Sequence, residues 1–144
     1  MTRAIGVDLG ARRIGIAVSD PGGVLATPVT VLTRTPDRAR LHRQIADLVD
    51  EYEAEAVVVG LPLSLDGSDG PAAVSARQEA GELAALLDVP VHLHDERLTT
   101  VTAHRLLAAT GIDERARRKV IDSAAAAVLL QTWLDGRSVV GPPP

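Results

Sequence analysis

Residues 3–20 read RAIGVDLGARRIGIAVSD, and this stretch predicts how the rest of the chain is organised. Two short apolar runs, Ala4–Val7 and Ile14–Val18, are separated by a polar segment that begins with Asp8. Runs of this length that are rich in Ile and Val, and that are bounded by Gly and charged residues, are typical of β-strands. The short spacing between the two runs predicts a hairpin.

The two faces of this hairpin are unequal. Side chains alternate along a strand, so Ile5 and Val7 face one way while Gly6 and Asp8 face the other. One face is therefore bulky, and the other is nearly bare with a carboxylate at its edge. A bare face lets a helix approach closely, and the segment 121–127 (IDSAAAA), which itself carries an aspartate, is the candidate helix.

Further strands and helices follow in an order that predicts the fold class. They are a strand over 24–32, a helix that begins at 35–37 and extends to 52, a strand over 54–60, a helix over 74–87, a strand over 89–93, a helix over 99–110 and a helix over 113–134. Pro28 suits an edge position in the third strand, and a strand after a crossover helix should pair in parallel. We expect an α/β fold with a five-stranded mixed sheet, an antiparallel three-strand meander plus two parallel strands, flanked by helices.

Length and composition indicate one domain over residues 1–138, with a disordered tail over 139–144. No apolar run approaches the ~18–20 residues of a membrane span, so we expect a cytoplasmic protein without membrane contact. A net charge of −4 argues against broad nonspecific binding to nucleic acid. With one Trp, one Tyr and no Phe, the chain also lacks the several aromatic side chains on which single-strand binders stack bases.

Three carboxylates are placed where the sheet and the last helix could bring them together: Asp8, Glu96 and Asp122. Hard cations such as Mg²⁺ and Mn²⁺ prefer oxygen ligands, and clustered carboxylates that hold them can promote phosphodiester hydrolysis. Asp8 could instead be an ordinary turn residue. Asp122 is harder to explain in that way, because an unpaired charge on the buried face of an alanine-rich helix is costly. The residues alone leave both readings open.

Four motifs resemble one family, in the right order along nearly the whole chain. They are GVDLGARRIGIAVSD (6–20), VVVGLPLSLDGSDGP (57–71), DERLTT (95–100) and KVIDSAAAAVLLQTWL (119–134). These motifs are similar to those of the YqgF/RuvX family, bacterial proteins described as pre-16S ribosomal RNA nucleases and as Holliday-junction-resolvase-like proteins. The resemblance implies a ribonuclease-H-like fold and assigns catalytic and metal-binding roles to Asp8, Glu96 and Asp122.

The chain departs from the RuvC-type resolvases of the same fold, which carry an acid at the end of the fourth strand and two acids on the last helix. Here the fourth strand ends Val59-Gly60-Leu61-Pro62, without a carboxylate, and no acid lies one turn from Asp122. Glu96 would have to substitute. Three acids instead of four argue against tight binding of a second metal ion and against resolvase activity.

Several basic residues flank the predicted metal site. The nucleic-acid-binding candidates are Arg12, Arg13, Arg97, Arg115, Arg117 and Arg118. A solvated, charged surface is the alternative for all of them, and Arg97 could instead pair with Asp95. Lys119 is the only lysine, three residues before Asp122, and its ammonium could reach the metal site or the substrate as a catalytic group.

The histidine pair and the single tryptophan are interpreted as structural residues. His92 and His94 alternate with Leu93, but no further nitrogen or sulfur ligand has matching spacing, so solvent-facing or capping roles are favoured over a metal site. Trp133 follows two leucines by one helical turn and is predicted to lie in the core, not to stack on bases.

The leading hypothesis is a metal-dependent nuclease that acts on structured nucleic acid and processes the 5′ end of pre-16S rRNA in ribosome biogenesis. Its partners would be pre-rRNA or branched DNA, together with ribosomal subunit precursors, and it would act as a monomer or homodimer. The alternatives are a Holliday-junction resolvase, a noncatalytic ribosome-assembly factor, and an ATP-dependent phosphotransferase. The last is suggested by the Asp8-Leu9-Gly10 turn, but 144 residues supply only one of the two domains that would clasp a nucleotide.

Overall fold

The computed structural model describes residues 3–96 and 114–140, and in the last helix it describes the side chains of residues 124–137. Five strands form one mixed sheet: β1 (Ala4–Leu9), β2 (Arg13–Ser19), β3 (Ala26–Thr33), β4 (Ala56–Leu61) and β5 (Val91–Asp95). Their order is β3-β2-β1-β4-β5. β1, β2 and β3 pair antiparallel, and β4 pairs in parallel with both β1 and β5. The predicted mixed sheet is confirmed.

Three helices cover the sheet in the described part of the chain: α1 (Arg38–Glu51), α2 (Pro71–Leu86) and α3 (Glu114–Val140). None of them is long and apolar enough to cross a membrane. The helix predicted over 99–110 lies outside the described residues. α3 continues past its predicted end at Leu134, and residues 141–144 of the predicted tail lie outside the described residues as well.

Alternation along the strands produces two separate cores, as the hairpin predicts. On one face, large side chains of β1 and β2 pack with α1 and α2; they include Ile5, Ile16, Ile45 and Leu83, all fully or almost fully buried. Burial of each such side chain contributes roughly 1.5–3 kcal/mol. This core fixes the sheet against α1 and α2 and leaves the opposite face for α3.

α3 packs against the bare face because that face lacks side-chain bulk. A Cβ added at Gly6 would lie 2.9 Å from the Ala126 carbonyl oxygen and 2.9 Å from the Leu130 Cβ. Ala126 and Leu130 are fully buried there, together with Ala17 of β2. Any larger residue at Gly6 would force the helix away from the sheet.

Local chemistry explains where the observed boundaries differ from the predicted ones. β3 begins two residues late because the Asp20 carboxylate accepts hydrogen bonds from the Val24 and Leu25 amides, at 2.7 and 2.8 Å. α2 begins earlier than predicted, since Pro71 occupies its first turn, where a missing N–H leaves no bond unmade. β3 is an edge strand, and its pairing with β2 is irregular next to Pro28, as proline requires.

Candidate active site

Two carboxylates meet across a glycine at the carboxyl end of β4. The register of β1 with β4 brings Asp8 level with Gly60. Glu96 follows the last residue of β5, and its backbone N–H donates to the Leu61 carbonyl oxygen at 3.3 Å, which continues the β4–β5 ladder by one step. Asp8 and Glu96 thus approach from the two neighbours of β4.

Gly60 leaves the space that the Glu96 carboxylate occupies. A Cβ added at Gly60 would collide with Glu96 Oε2, would lie 3.1 Å from its Cδ, and would lie 3.3 Å from the Leu129 Cδ2. The carboxylate therefore rests over the glycine backbone on the α3 side of the sheet. The fourth strand has no acid of its own, and its glycine instead admits the acid of the next strand.

The environment of Glu96 disfavours its charged form. Burial, followed by the negative charges of Asp8 and Asp95, raises the pKa of Glu96 to about 7. The carboxylate is incompletely solvated, and Asp8 is near enough to repel it. A cation between Asp8 and Glu96 would oppose both effects. The oxygen-only donors fit a hard divalent ion.

The backbone of α3 passes position 122 before it reaches the sheet contact at Gly6. Position 122 precedes Ala126 by one turn, and Ala126 and Leu130 pack against Gly6. Farther along α3, Gln131 accepts a hydrogen bond from the Ala26 amide at 2.9 Å, at the far end of the sheet. α3 therefore runs antiparallel to β1, which puts position 122 toward the Asp8 end.

The side chain of Asp122 lies outside the described part of the structure. Within that part, no three His, Asp or Glu side chains are grouped as metal ligands. The described residues thus supply two carboxylates of the predicted three, and the backbone of α3 runs past them.

The β1–β2 turn is held by a buried polar network that the sequence analysis did not find. Arg34 donates from Nε to the Gly10 carbonyl oxygen at 2.7 Å, and from its other nitrogens to both Glu79 oxygens at 2.7 and 3.2 Å. Its backbone N–H donates to the Arg12 carbonyl oxygen at 2.9 Å. His42 Nε2 lies 2.7 Å from Glu79 Oε2.

Glu79 is 3% exposed and lies among the buried positions of α2, between Ala76 and Ala80. Burial alone would raise its pKa, but hydrogen bonds from Arg34 and His42 outweigh that effect and lower the pKa below its ordinary value. An acid on the apolar stripe of a helix was the signal in the sequence, the same signal that Asp122 gives in α3.

The remaining predicted residues are only partly described. Arg12 is exposed in the β1–β2 turn, and Arg13 is half-buried at the start of β2. Arg97 lies outside the described residues. Arg115, Arg117, Arg118 and Lys119 belong to the first turns of α3, where only the backbone is described.

Trp133 is half-buried and packs against the core between the sheet and α3, and it also contacts polar side chains. Its ring lies 5.4 Å from that of His92, centroid to centroid, and the Arg137 guanidinium lies 4.6 Å from its centroid. His92 and Arg137 are both exposed.

The sheet order and the paired carboxylates define the class first: this is a ribonuclease-H-like domain with an acidic site at the ends of its central strands. The chain belongs to the RuvX family, described as "RuvX: Holliday junction resolvase", whose profile matches residues 2–136. The resemblance drawn from the four motifs is confirmed.

Relatives and solved structures agree with this assignment. A protein of Rhodococcus opacus named "Putative pre-16S rRNA nuclease" is 53% identical over 140 residues, 94% of this chain and 79% of that protein. A protein of Streptomyces avermitilis with the same name is 49% identical. The match covers 99% of this chain and 91% of that protein. The chain is a phosphodiester-hydrolysing nuclease of this family.

The fold is shared with distant resolvases. Thermus thermophilus RuvC in complex with a Holliday junction superposes over the full length of both chains with a TM-score of 0.62 at 19% identity. The yeast mitochondrial resolvase Ydc2 gives a TM-score of 0.53 at 14% identity, over 92% of this chain and 78% of that one. The predicted ribonuclease-H-like fold is confirmed.

Proposed function

We propose that this chain is a divalent-metal-dependent nuclease that processes the 5′ end of pre-16S rRNA, and that it does so in the cytoplasm on ribosomal subunit precursors. The observation that carries the proposal is the pair of carboxylates, Asp8 and Glu96, that meet over Gly60 with the pKa of Glu96 raised to about 7. The name of the relatives at about half identity supports the choice of substrate.

In this proposal Asp8, Glu96 and Asp122 hold Mg²⁺ or Mn²⁺. Such an ion supplies Lewis-acid activation of water and stabilisation of the leaving oxygen. The protein contributes geometry: β1 and the β4–β5 ladder hold two of the carboxylates on either side of β4. Gly60 leaves the room that the Glu96 carboxylate occupies, and the Arg34–Glu79 pair fixes the turn that follows Asp8.

Basic residues near the site would bind the phosphates. Arg12 and Arg13 extend from the β1–β2 turn, and Arg97, Arg115, Arg117 and Arg118 are the remaining candidates. Lys119 precedes Asp122 by three residues in α3, on the same side of the helix. In this proposal the Lys119 ammonium places a positive charge close to the reacting phosphate. A compact ammonium fits there more easily than a guanidinium.

The lysine has its own test. Lys119→Arg keeps the charge but should lose at least ~10-fold in turnover, which equals ~1.4 kcal/mol of transition-state stabilisation, with little change in substrate affinity. Parent rates in both Lys119→Arg and Lys119→Ala would show that the lysine is an ordinary surface residue.

The central experiment incubates the pure protein with end-labelled RNA that spans the 5′ boundary of 16S rRNA, with a four-way DNA junction and with ATP, each with Mg²⁺, Mn²⁺ or EDTA. We expect metal-dependent scission of the RNA. Asp8→Asn and Glu96→Gln should each lower it at least ~100-fold, while Glu82→Gln, on the exposed side of α2, should not.

The other results separate the alternatives. Scission of the junction alone would favour the resolvase that the family description names. RNA binding without scission under every metal condition would favour an assembly factor. Phosphate release from ATP would favour a phosphotransferase. Any of these three results would overturn the proposed function.

A further inference from the structure

His92, Trp133 and Arg137 form a stack of three flat side chains, which we call the His–Trp–Arg stack. The His92 and Trp133 rings are 5.4 Å apart and inclined by 36°, and the Arg137 guanidinium lies 4.6 Å from the Trp133 centroid. Trp133 is half-buried, whereas His92 and Arg137 are exposed. His92 and Arg137 are therefore the accessible members of the stack, and Trp133 is its supported member.

The stack lies on the same face of the sheet as the carboxylates. His92 pairs with Val58, which is buried against α3. Residues two apart on a strand share a face, so positions 92, 94 and 96 form one row that leads from the stack to Glu96. At ~3.3 Å per residue, the row spans about 13 Å. Successive nucleotides of a stacked helix rise ~3.4 Å along its axis, so this distance corresponds to roughly four steps when it is measured along such an axis.

The aromatic inventory of the chain makes this location unusual. The sequence has one Trp, one Tyr and no Phe. Tyr52 packs against the core on the other side of the sheet, with α1 and α2. Trp133 is therefore the one Trp, Tyr or Phe ring on the carboxylate face, where it packs against the aliphatic core beneath α3 and also contacts an imidazole and a cation.

We propose that the His–Trp–Arg stack is a nucleotide subsite, in which a nucleobase stacks on the exposed ring of His92 and Arg137 binds an adjacent phosphate. The inference rests on the proposed nuclease function, because that function supplies the nucleic-acid strand. Trp133 supports the His92 ring from behind and extends the stack. Base stacking on such groups tolerates every base, so the subsite positions a strand a few nucleotides from the cleavage point without reading its sequence.

A pair of matched probes separates stacking from charge. One is a labelled single-stranded DNA oligonucleotide, and the other is an abasic oligomer of the same length with the same number of phosphates. Binding is measured by fluorescence anisotropy in EDTA, which prevents turnover. The parent should bind the base-bearing probe at least ~5-fold more tightly than the abasic one. Because Trp133 is the single tryptophan, its own emission should change with the base-bearing probe and much less with the abasic one.

Three variants test the parts of the stack. His92→Ala should abolish the preference for bases, and so should Trp133→Leu, which keeps apolar bulk at a half-buried position. Arg137→Ala should weaken binding of both probes by a similar factor, since both carry phosphates. Arg40→Ala removes an exposed arginine from α1, on the opposite side of the sheet, and should leave the preference intact.

The outcomes distinguish this proposal from the proposed function. Equal affinity of the parent for the two probes would overturn the subsite, as would a preference that survives in both His92→Ala and Trp133→Leu; the stack would then be a packing contact. Either result is compatible with RNA scission by the parent. A base preference that depends on His92 would support the subsite even if scission failed in every metal condition.

Discussion

Glu96 shows at the scale of one residue how burial and neighbouring charge alter the protonation of an acid. Its pKa is raised to about 7, so without metal the folded protein binds a proton that the unfolded chain releases near the ordinary value of 4.5. The folded state is therefore favoured by this group at low pH, and that advantage is lost as the pH rises from about 4.5 through about 7. The difference corresponds to about 3 kcal/mol at pH 8 and under about 1 kcal/mol at pH 5.

This shift predicts a pH-dependent gain from removal of the charge. In EDTA, Glu96→Gln should be more stable than the parent by up to about 3 kcal/mol at pH 8, with a much smaller gain at pH 5. Urea unfolding at the two pH values measures it. Added Mg²⁺ should stabilise the parent but not the variant, because only the parent has the full ligand pair. A gain of equal size at both pH values would show that charge on Glu96 is not its source.

At the scale of helices and strands, Glu79 is a buried acid that contrasts with Glu96. Its partners connect several of these elements. It links α2 to His42 of α1 and to Arg34, and Arg34 carries the link to the Gly10 carbonyl oxygen in the β1–β2 turn. Removal of the acid would leave a buried histidine and a largely buried arginine without their partner. A buried charge that loses its partner is far more costly than a lost surface ion pair.

Glu79→Gln should therefore destabilise the protein by roughly 3 kcal/mol at pH 7. Because the folded-state pKa of Glu79 is lowered, its stabilising contribution is present above the ordinary pKa and is lost as the pH falls through the lowered value. The difference in free energy of unfolding between Glu79→Gln and the parent should therefore become smaller at acidic pH. Glu82→Gln, one turn along α2 in an exposed pair with Arg38, is the control and should change stability by less than about 1 kcal/mol. Similar losses in both variants would contradict a special role for Glu79.

A second prediction about elements concerns the glycine between the carboxylates. Gly60→Ala places a methyl group where the Glu96 carboxylate rests, so the carboxylate must move. Cleavage and Mg²⁺ affinity should both fall, by at least ~10-fold, since ligand displacements of this kind weaken metal sites. Calorimetric titration with Mg²⁺ measures the affinity without substrate.

Gly81→Ala is the matched control for that substitution. Gly81 lies in α2, and a Cβ there meets nothing within 4 Å. Alanine should leave metal affinity unchanged and stabilise the helix by roughly 0.5–1 kcal/mol. Unchanged Mg²⁺ affinity in Gly60→Ala would mean that the Glu96 position over the glycine is irrelevant to metal binding.

At the scale of the whole molecule, the fold was largely predictable because alternation in residues 3–20 already separates a bulky face from a bare one. Gly6 and Asp8 on one face implied both the close helix and the acidic edge, and Gly6 does contact α3. The role of Gly60 was not predictable. Nothing local in the sequence shows that the acid of the next strand occupies the space over this glycine, since that depends on strand register.

The Arg34–Glu79 network and the His–Trp–Arg stack were not predictable for the same reason. Arg34 and Glu79 are 45 residues apart, and His92 and Trp133 are 41 residues apart. Pairings between such distant positions follow from the crossover topology, not from periodicity within one element. The sequence did contain a cue at Glu79, a carboxylate on an apolar stripe, but its partners required the folded structure.

The final prediction concerns the salt dependence of RNA binding, which follows from the charge of the whole molecule. A net charge of −4 gives no general attraction for nucleic acid, so affinity must come from a few local contacts to phosphates. Arg12 is exposed in the turn that follows Asp8, and Arg40 is equally exposed but lies on α1. Arg12→Ala should flatten the slope of log K against log salt by about one unit, whereas Arg40→Ala should leave it unchanged. Binding of labelled single-stranded RNA in EDTA, at four or more salt concentrations, measures both slopes. If the two variants flatten the slope equally, the attraction is a diffuse property of the surface, and the β1–β2 turn is not the phosphate-binding edge of the site.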